Sequence, residues 1–211
     1  PMMTAVYFAI IKAGGIVVAS MPLLRAKELS YLVEKPELTL AVCDSKLSDE
    51  MEKTRTLAPR LKDILYFGTD APDGLEAQMA AYDAPFTACD TSTDDVCLIG
   101  FTSGTTGQPK GTMHFHRDML AICDCYSREV LQPEPDDRFV GSPPLAFTFG
   151  LGGLVLFPFR VGAAAILLER AGPDDLLEAI AKDRATIVFT APTAYRVMLS
   201  KLDDADISSL R

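Results

Sequence analysis

The chain has 211 residues, of which almost half are apolar, and 29 acidic against 20 basic side chains give a formal net charge of −9. This length and apolar fraction suffice for one large domain or two small ones, and they exclude a disordered chain. The negative charge argues against broad nucleic-acid binding and against attraction to an anionic membrane, so any anion must be met by a specific pocket. We expect no nucleic-acid and no membrane partner.

Cysteine usage and hydropathy favour a cytoplasmic protein. The five cysteines are an odd number, and Cys123 and Cys125 form a C-x-C that fits neither a zinc ribbon nor a thioredoxin motif, which indicates reduced, mostly buried thiols. The uncharged run 139–159 is just long enough for a membrane span. Its three prolines and four glycines argue against an unbroken lipid-facing helix. The opening "PMMTAVYFAI" has no basic start, so we expect no signal peptide. Because its apolar pattern is already running at the first residues, we expect a chain cut from a longer one.

Helical and strand-like patterns alternate through the first part of the chain. The predicted elements are a helix over Thr4–Lys12, a strand in "GGIVVASMP", a helix in "RAKELSYLVEK", a strand in "LTLAVCD", a polar helix in "SKLSDEMEKTRTLAP" and a strand in "DILYFG". The second helix places Leu29, Leu32 and Val33 on one face. From Thr69 to Asp95 no period holds, which predicts a linker.

The alternation resumes after this linker. The predicted elements are a strand in "VCLIGF", a Gly/Ser/Thr loop, a strand in "GTMHF", a helix from about Arg117, a strand in "RFVGS", a buried helix over 151–157, a strand in "AAAILLE", a helix in "GPDDLLEAIAKD", a strand in "ATIVFTAP" and a helix in "TAYRVMLSKL". In the helix from about Arg117, the inward positions are Met119, Ile122, Cys123 and Tyr126. In the helix "GPDDLLEAIAKD", they are Leu176, Leu177 and Ile180. The predicted fold class is α/β with mostly parallel strands, in two parts, 1–88 and 89–211.

The loop Thr102–Gly111, "TSGTTGQPKG", has the composition of a phosphate cradle. Gly104 and Gly107 can take backbone angles that other residues avoid, which lets successive N–H groups point at one centre. Four hydroxyls and one ammonium group add donors: Thr102, Ser103, Thr105, Thr106 and Lys110. The loop is not a Walker loop, because Pro109 precedes the lysine and because a strand follows. On composition alone, a flexible hairpin loop is the alternative.

Two other features have ordinary structural explanations. His114 and His116 share one face of a short strand, but a zinc site needs further ligands and only Asp118 is near, so we expect no metal site. Phe147 and Phe149 fit core packing as well as they fit a binding site.

The whole string "TSGTTGQPKG" resembles the phosphate-loop signature of the adenylate-forming superfamily, which includes acyl-CoA synthetases, adenylation domains of peptide synthetases and luciferases. The resemblance continues through "IIKAGGIVVASMP", "KGTMHFHRDML" and "PPLAFTFGLGG". The last string is similar to the aromatic motif of the acyl pocket. With Phe147 and Phe149 and no histidine, it is most similar to that of bacterial CoA ligases for benzoate-like acids, including 2-aminobenzoate.

This resemblance implies the layered α/β N-terminal domain of that superfamily and a set of site residues. The residues implied to bind the β- and γ-phosphates of ATP, with a hydroxyl near Mg²⁺, are Thr102, Ser103, Gly104, Thr105, Thr106, Gly107 and Lys110. Of these, Lys110, Thr105 and Thr106 would be catalytic. The residues implied to line the acyl pocket are Phe147, Phe149, Gly150, Thr190 and Ala191. Because Phe147 replaces a histidine found in many members, no hydrogen bond to the carboxylate is expected there.

The implied reaction joins a small-molecule carboxylic acid to ATP, giving an acyl-adenylate, and then to CoA, giving a thioester. The strings for the adenine, the ribose and the C-terminal lid are not found, so we expect the chain to turn over little alone and to self-associate through apolar surface. One alternative is an amino-acid adenylation domain, although "FTFGLGGLVLF" lacks the acid that would bind the ammonium group. The other is a non-catalytic nucleotide-binding module.

Overall fold

A computed structural model of the protein describes residues 1–102 and 107–211, with only the backbone of Asp204 included. These residues form two compact units. The first contains Pro1–Thr91 and Cys97–Met113, and the second contains Ser92–Val96 and His114–Arg211. The strands on both sides of the Gly/Ser/Thr loop therefore lie mainly in the first unit.

The first unit alternates helices and short strands. Its elements in chain order are α1 (Met2–Lys12), α2 (Ala26–Glu34), β1 (Leu40–Asp44), a 3₁₀ turn (Ser45–Leu47), α3 (Ser48–Leu57), β2 (Asp63–Phe67), α4 (Leu75–Ala81), β3 (Val96–Thr102) and β4 (Lys110–Phe115). Strands β1 and β2 are parallel, and β3 pairs with β4. The predicted inward face of α2 is confirmed, since Leu29, Leu32 and Val33 are all buried.

Two predictions for this unit are wrong. The segment after α1 makes a single parallel bridge, between Val17 and Leu98, and no strand. Gly15 and Pro22 leave few residues for pairing between them, and proline has no N–H to donate. The expected linker contains the helix α4, whose sequence "LEAQMAA" consists of good helix formers. No residue of α4 is buried, so there was no apolar period by which to recognise it.

The second unit is built around a three-stranded parallel sheet. Its elements are α5 (His116–Ile122) continued by a π-helix (Cys123–Leu131), β5 (Arg138–Gly141), α6 (Thr148–Leu151) continued by a π-helical turn (Gly152–Leu156) and α7 (Phe157–Val161), β6 (Ala164–Ile166), α8 (Pro173–Asp183), β7 (Ile187–Phe189), α9 (Pro192–Leu199) and a 3₁₀ turn (Leu202–Asp204). The strand order is β6-β5-β7, with every pair parallel. This confirms the predicted α/β class with alternating helices and parallel strands.

Helices cover both faces of this sheet. On one face Phe139, Ile187 and Phe189 pack with Leu154 and Phe157 of the 148–161 helical run. On the other face, the side chains that pack together come from β5, α8 and α9, namely Val140, Leu176, Leu177, Ile180 and Met198. The split follows from the period of two along each strand. The β5-to-β6 connection moves to one side of β5 across the first face, and the β6-to-β7 connection moves back to the other side across the second face. Both crossovers therefore have the same hand.

The two π-helical segments decide which side chains point inward. In the first, Cys123 and Ser127 are buried and Tyr126 is exposed. Ile122, the last residue of α5, is exposed as well, so the prediction that Ile122 and Tyr126 point inward is wrong. The i→i+5 hydrogen bonds of a π-helix rotate the faces away from the 3.6-residue period. The predicted buried helix over 151–157 is confirmed. In the described residues, no helix is both long and apolar enough to cross a membrane.

Candidate functional site

The base of the Gly/Ser/Thr loop lies in the first unit. Thr102 ends β3 and Lys110 begins β4, and the Thr102 hydroxyl donates a long hydrogen bond of 3.5 Å to the Lys110 carbonyl. Both residues are exposed, and Gly107 has a left-handed φ of 90°. No atom of the described residues lies within 4 Å of the place where a Gly107 Cβ would be. The predicted donors Ser103, Gly104, Thr105 and Thr106 lie outside the described residues.

One side of this loop is held against helix α2. The Tyr31 hydroxyl donates to the Pro109 carbonyl at 3.0 Å, and the Tyr31 ring contacts Phe101 edge to face at 6.2 Å. Gly111 has no room for a side chain, since a Cβ would lie 2.9 Å from Ile99 Cγ2. Tyr31 therefore positions the residue before Lys110. The sequence analysis did not identify Tyr31, because nothing in its local pattern distinguishes it from other polar positions of the helix.

The charge on Lys110 is not neutralised within the described part of the chain. Ion pairs there join other groups, such as Lys53 with Glu50 and Arg211 with Asp137, and none joins a carboxylate to Lys110. An exposed ammonium at the mouth of a loop with glycines and hydroxyls is suited to a polyphosphate, because it adds charge to an array of donors.

The second candidate region is the carboxyl edge of the β6-β5-β7 sheet. The connection after β5 leads to α6 on one face of the sheet, and the connection after the adjacent β7 leads to α9 on the other face. Two neighbouring strands whose connections diverge in this way form a topological switch point, and open α/β sheets bind ligands outside the carboxyl ends of such strands.

Ser142 and Thr190 meet at these strand ends. The Ser142 N–H donates to the Phe189 carbonyl at 3.0 Å, and the Ser142 and Thr190 hydroxyl oxygens are 2.6 Å apart. Thr190 is buried and Ser142 is half-buried. This close approach requires Gly141, because a Cβ there would lie 2.3 Å from the Phe189 carbonyl oxygen. Sequence reasoning proposed Thr190 but not Ser142, since a serine before two prolines is an ordinary turn residue.

The two aromatic residues of the predicted acyl pocket are exposed rather than part of the core. Phe147 is 42% and Phe149 51% accessible, which argues against the core-packing alternative. The Phe149 ring contacts Phe189 edge to face at 5.8 Å. Gly150 is also required by packing, since a Cβ there would lie 2.2 Å from the Pro144 carbonyl oxygen. Phe147 and Phe149 thus stand at the start of α6, beside the end of β7.

Ala191 and Tyr195 complete this edge. The exposed Ala191 precedes α9, and its carbonyl accepts the N–H groups of Ala194 and Tyr195 at 3.0 and 3.1 Å. The Tyr195 hydroxyl donates to the Val188 carbonyl at 2.7 Å, and burial raises the pKa of Tyr195, so the phenol remains protonated and can donate. Ala191 therefore has a fixed backbone position, whereas its side chain faces solvent.

The histidines and cysteines have structural surroundings. His114 Nδ1 is 3.9 Å from an Asp118 carboxylate oxygen, and the same oxygen accepts the Phe115 N–H at 2.9 Å at the start of α5. Within residues 1–102 and 107–211, no group of three metal-ligating side chains is found. Cys123 is buried and Cys125 is exposed, so these two thiols have different surroundings. Burial raises the pKa of the buried Cys43 thiol to about 11, which keeps this thiol unreactive.

Comparisons with known proteins match this chain along nearly its whole length. The family model described as "AMP-binding enzyme" matches residues 1–211. The benzoate–CoA ligase of Thauera aromatica is 31% identical over 206 residues, which are 97% of this chain and 39% of that protein. The uncharacterized acyl–CoA ligase YtcI of Bacillus subtilis is 37% identical over 209 residues, 98% of this chain and 39% of that protein.

The solved structures extend this similarity to the fold. The crystal structure of the anthranilate CoA ligase AuaEII, in complex with anthranoyl-AMP, superposes with a TM-score of 0.90 at 30% identity, covering 97% of this chain and 41% of that one. The chain thus spans about two fifths of the length of these relatives. The match along all 211 residues confirms the resemblance seen in the loop string, and the chain belongs to the AMP-binding enzyme family.

Proposed function

We propose that this chain is part of an ATP-dependent, AMP-forming carboxylate–CoA ligase. The observation that carries the proposal is the family match over the whole chain, together with similarity to enzymes named as benzoate– and anthranilate–CoA ligases. In such a reaction the carboxylate attacks the α-phosphorus of ATP, pyrophosphate leaves, and the thiol of CoA then displaces AMP from the acyl-adenylate. Reduced thiols, three of them buried, suit the cytoplasm as its compartment.

The Gly/Ser/Thr loop would bind the phosphates of ATP. Lys110 and the Thr102 hydroxyl are exposed at the loop base, and none of the described residues fills the space where a Gly107 side chain would lie. The donors proposed to act with them are Ser103, Gly104, Thr105 and Thr106. Their contribution would be to hold the departing pyrophosphate and stabilise its charge with donors already in place. Mg²⁺, held by a loop hydroxyl, would add positive charge between the phosphates.

The carboxyl edge of the second sheet would bind the acid, and we propose an aromatic acid such as benzoate or 2-aminobenzoate. Exposed Phe147, Phe149 and Ala191 would offer aromatic and small side chains to a planar ring, and the buried Gly150 and Thr190 would complete this pocket. The segment 143–159 contains no acidic residue. An amino-acid substrate would need a carboxylate for its ammonium group, so an amino-acid adenylation domain is the less favoured alternative.

Substrate profiling of the full-length protein that contains this chain tests the proposal. Pyrophosphate release would be measured with benzoate, 2-aminobenzoate, fatty acids and amino acids, each with and without CoA. We expect release with the aromatic acids and thioester formation only when CoA is present. Activation of amino acids alone, without CoA dependence, would contradict the proposal. No activation of any acid would instead favour a non-catalytic nucleotide-binding module.

A further inference from the structure

The segment 142–150, which carries both exposed aromatic residues, is attached to the end of β7 at two places. At its start, Ser142 bonds to Phe189 through its backbone and to Thr190 through its hydroxyl. Near its end, the Phe149 ring packs on the Phe189 ring. The segment therefore contacts Phe189, the last residue of β7, both where it begins and near where it ends.

Within the segment, backbone contacts make a compact turn. The Phe147 N–H donates to the Pro144 carbonyl at 3.1 Å, and the Leu151 N–H donates to the Phe147 carbonyl at 2.8 Å. Gly150 lies directly against the carbonyl oxygens of Pro143 and Pro144. Because the turn is short and internally bonded, a shift at Ser142 would be passed on to Phe147 and Phe149 instead of being absorbed by free chain.

The Ser142–Thr190 contact links the two strand ends through side-chain hydroxyls. Its O···O distance of 2.6 Å is short for a pair of neutral hydroxyls, and Thr190 is only 5% exposed. Removing one hydroxyl leaves the other, largely shielded from water, without its partner. The pair can therefore hold the turn in one position, in addition to the place of Thr190 in the proposed acid pocket.

We propose that Ser142 and Thr190 are positioning residues for acid binding, acting together through their hydroxyl pair on Phe147 and Phe149. This inference rests on the proposed function, because it assigns the acid to this edge of the sheet. It implies that losing the pair weakens binding of the acid more than binding of ATP, because the contacts of the pair lead to Phe147 and Phe149 and not to the residues proposed to bind the phosphates.

The test uses four variants of the full-length protein: Ser142→Ala, Thr190→Val, Thr190→Ser and the double variant Ser142→Ala/Thr190→Val. The measurement is KM for benzoate or 2-aminobenzoate, whichever the protein activates better, alongside KM for ATP. Each single hydroxyl deletion is expected to raise KM for the acid about 2- to 10-fold, the effect of one lost hydrogen bond. The double variant should be no worse than the more impaired single variant, and Thr190→Ser should restore the wild-type value.

Thr186→Val is the matched control, because it removes a hydroxyl that joins the same two strands at their opposite ends. There Thr186 donates to Asp137 at 2.7 Å, just before β7 and β5 begin. We expect this control to lower the melting temperature and to leave KM for the acid unchanged.

Three results would overturn the inference. The first is an unchanged KM for the acid in both single variants, and the second is an equal rise in KM for the acid and for ATP. The third is the same rise in KM for the acid in Thr186→Val. If Thr190→Val does not fold, Ser142→Ala and Thr190→Ser still decide the question. A wild-type protein that activates no acid would overturn the proposed function as well, whereas an active wild type with unaffected variants would overturn the inference alone.

Discussion

At the scale of single residues, Lys110 carries the positive charge on which the proposed binding of ATP phosphates depends. It is exposed at the start of β4, and Tyr31 holds the preceding residue in place. In the full-length protein we expect Lys110→Ala to lower kcat for pyrophosphate release about 100- to 1,000-fold, because a positioned donor is lost from the departing pyrophosphate. Steady-state kinetics would measure this loss.

Lys182→Ala is a suitable control for this substitution, since Lys182 is also an exposed lysine but lies on α8. It should leave kcat unchanged. Full activity in Lys110→Ala would contradict a catalytic role for the loop and favour the non-catalytic alternative.

Asp137 is a buried carboxylate whose ionisation stabilises the second unit. Burial alone would raise its pKa, but hydrogen bonds from the Arg211 guanidinium, the Glu134 N–H and the Thr186 hydroxyl hold the pKa below its ordinary value. A depressed pKa adds stability at pH values above the unfolded pKa of about 3.9, and this stability is lost as the pH falls through the folded pKa.

Asp137→Asn is therefore expected to lower the free energy of unfolding at pH 7 by about 1–3 kcal/mol. The difference from wild type should shrink as the pH falls below about 4. Urea unfolding between pH 3 and pH 7 would measure both effects. Asp174→Asn, which removes an exposed partner of Lys201, is the control and should change stability little. A difference that stays constant with pH would contradict this account.

At the scale of elements, glycines allow the 148–161 helical run to approach the sheet. A Cβ at Gly153 would lie 2.7 Å from the Phe189 ring, whereas one at the adjacent Gly152 would lie 3.3 Å from the Phe157 ring. We expect Gly153→Ala to destabilise the protein by about 1–3 kcal/mol through overpacking. Gly152→Ala, the neighbouring control, should cost distinctly less. Thermal unfolding of both variants measures the difference, and equal melting temperatures would contradict close packing at Gly153.

Amphipathic elements were predictable where one face is buried against one layer. The inward residues of α2 and α8 follow the helical period and are buried as expected. The prediction failed where the helical period changes, at the π-helix after Ile122, and where a helix buries nothing, at α4. In the first case a wider turn moves Tyr126 outward, and in the second no apolar pattern exists to detect.

At the scale of the whole molecule, large apolar side chains are exposed on both units. They include Leu23 at 71% and Met113 at 65% in the first unit and Leu199 at 66% in the second. Exposed apolar surface promotes association. We therefore expect the 211-residue chain by itself to self-associate as its concentration rises, which light scattering after size-exclusion chromatography would show.

A control for this prediction is Leu199→Lys, which places a charge on the exposed side of α9. The variant should self-associate less than the wild-type chain, because a charge replaces exposed apolar surface on the second unit. A monomeric wild-type chain at high concentration would contradict the expectation.

We also expect the isolated chain to release little or no pyrophosphate with any acid. Carboxylate-dependent ATP–pyrophosphate exchange by this chain would contradict that expectation.

The sequence by itself determined the α/β class, the family and the loop string with Lys110, because these depend on local periodicity and on a long contiguous motif. Only the tertiary structure decided that Phe147 and Phe149 are exposed, that Tyr31 holds the loop base, and that Ser142 meets Thr190. The last two contacts join residues 78 and 48 positions apart. Contacts of that kind arise from the packing of separate elements, so no local pattern in the sequence can reveal them.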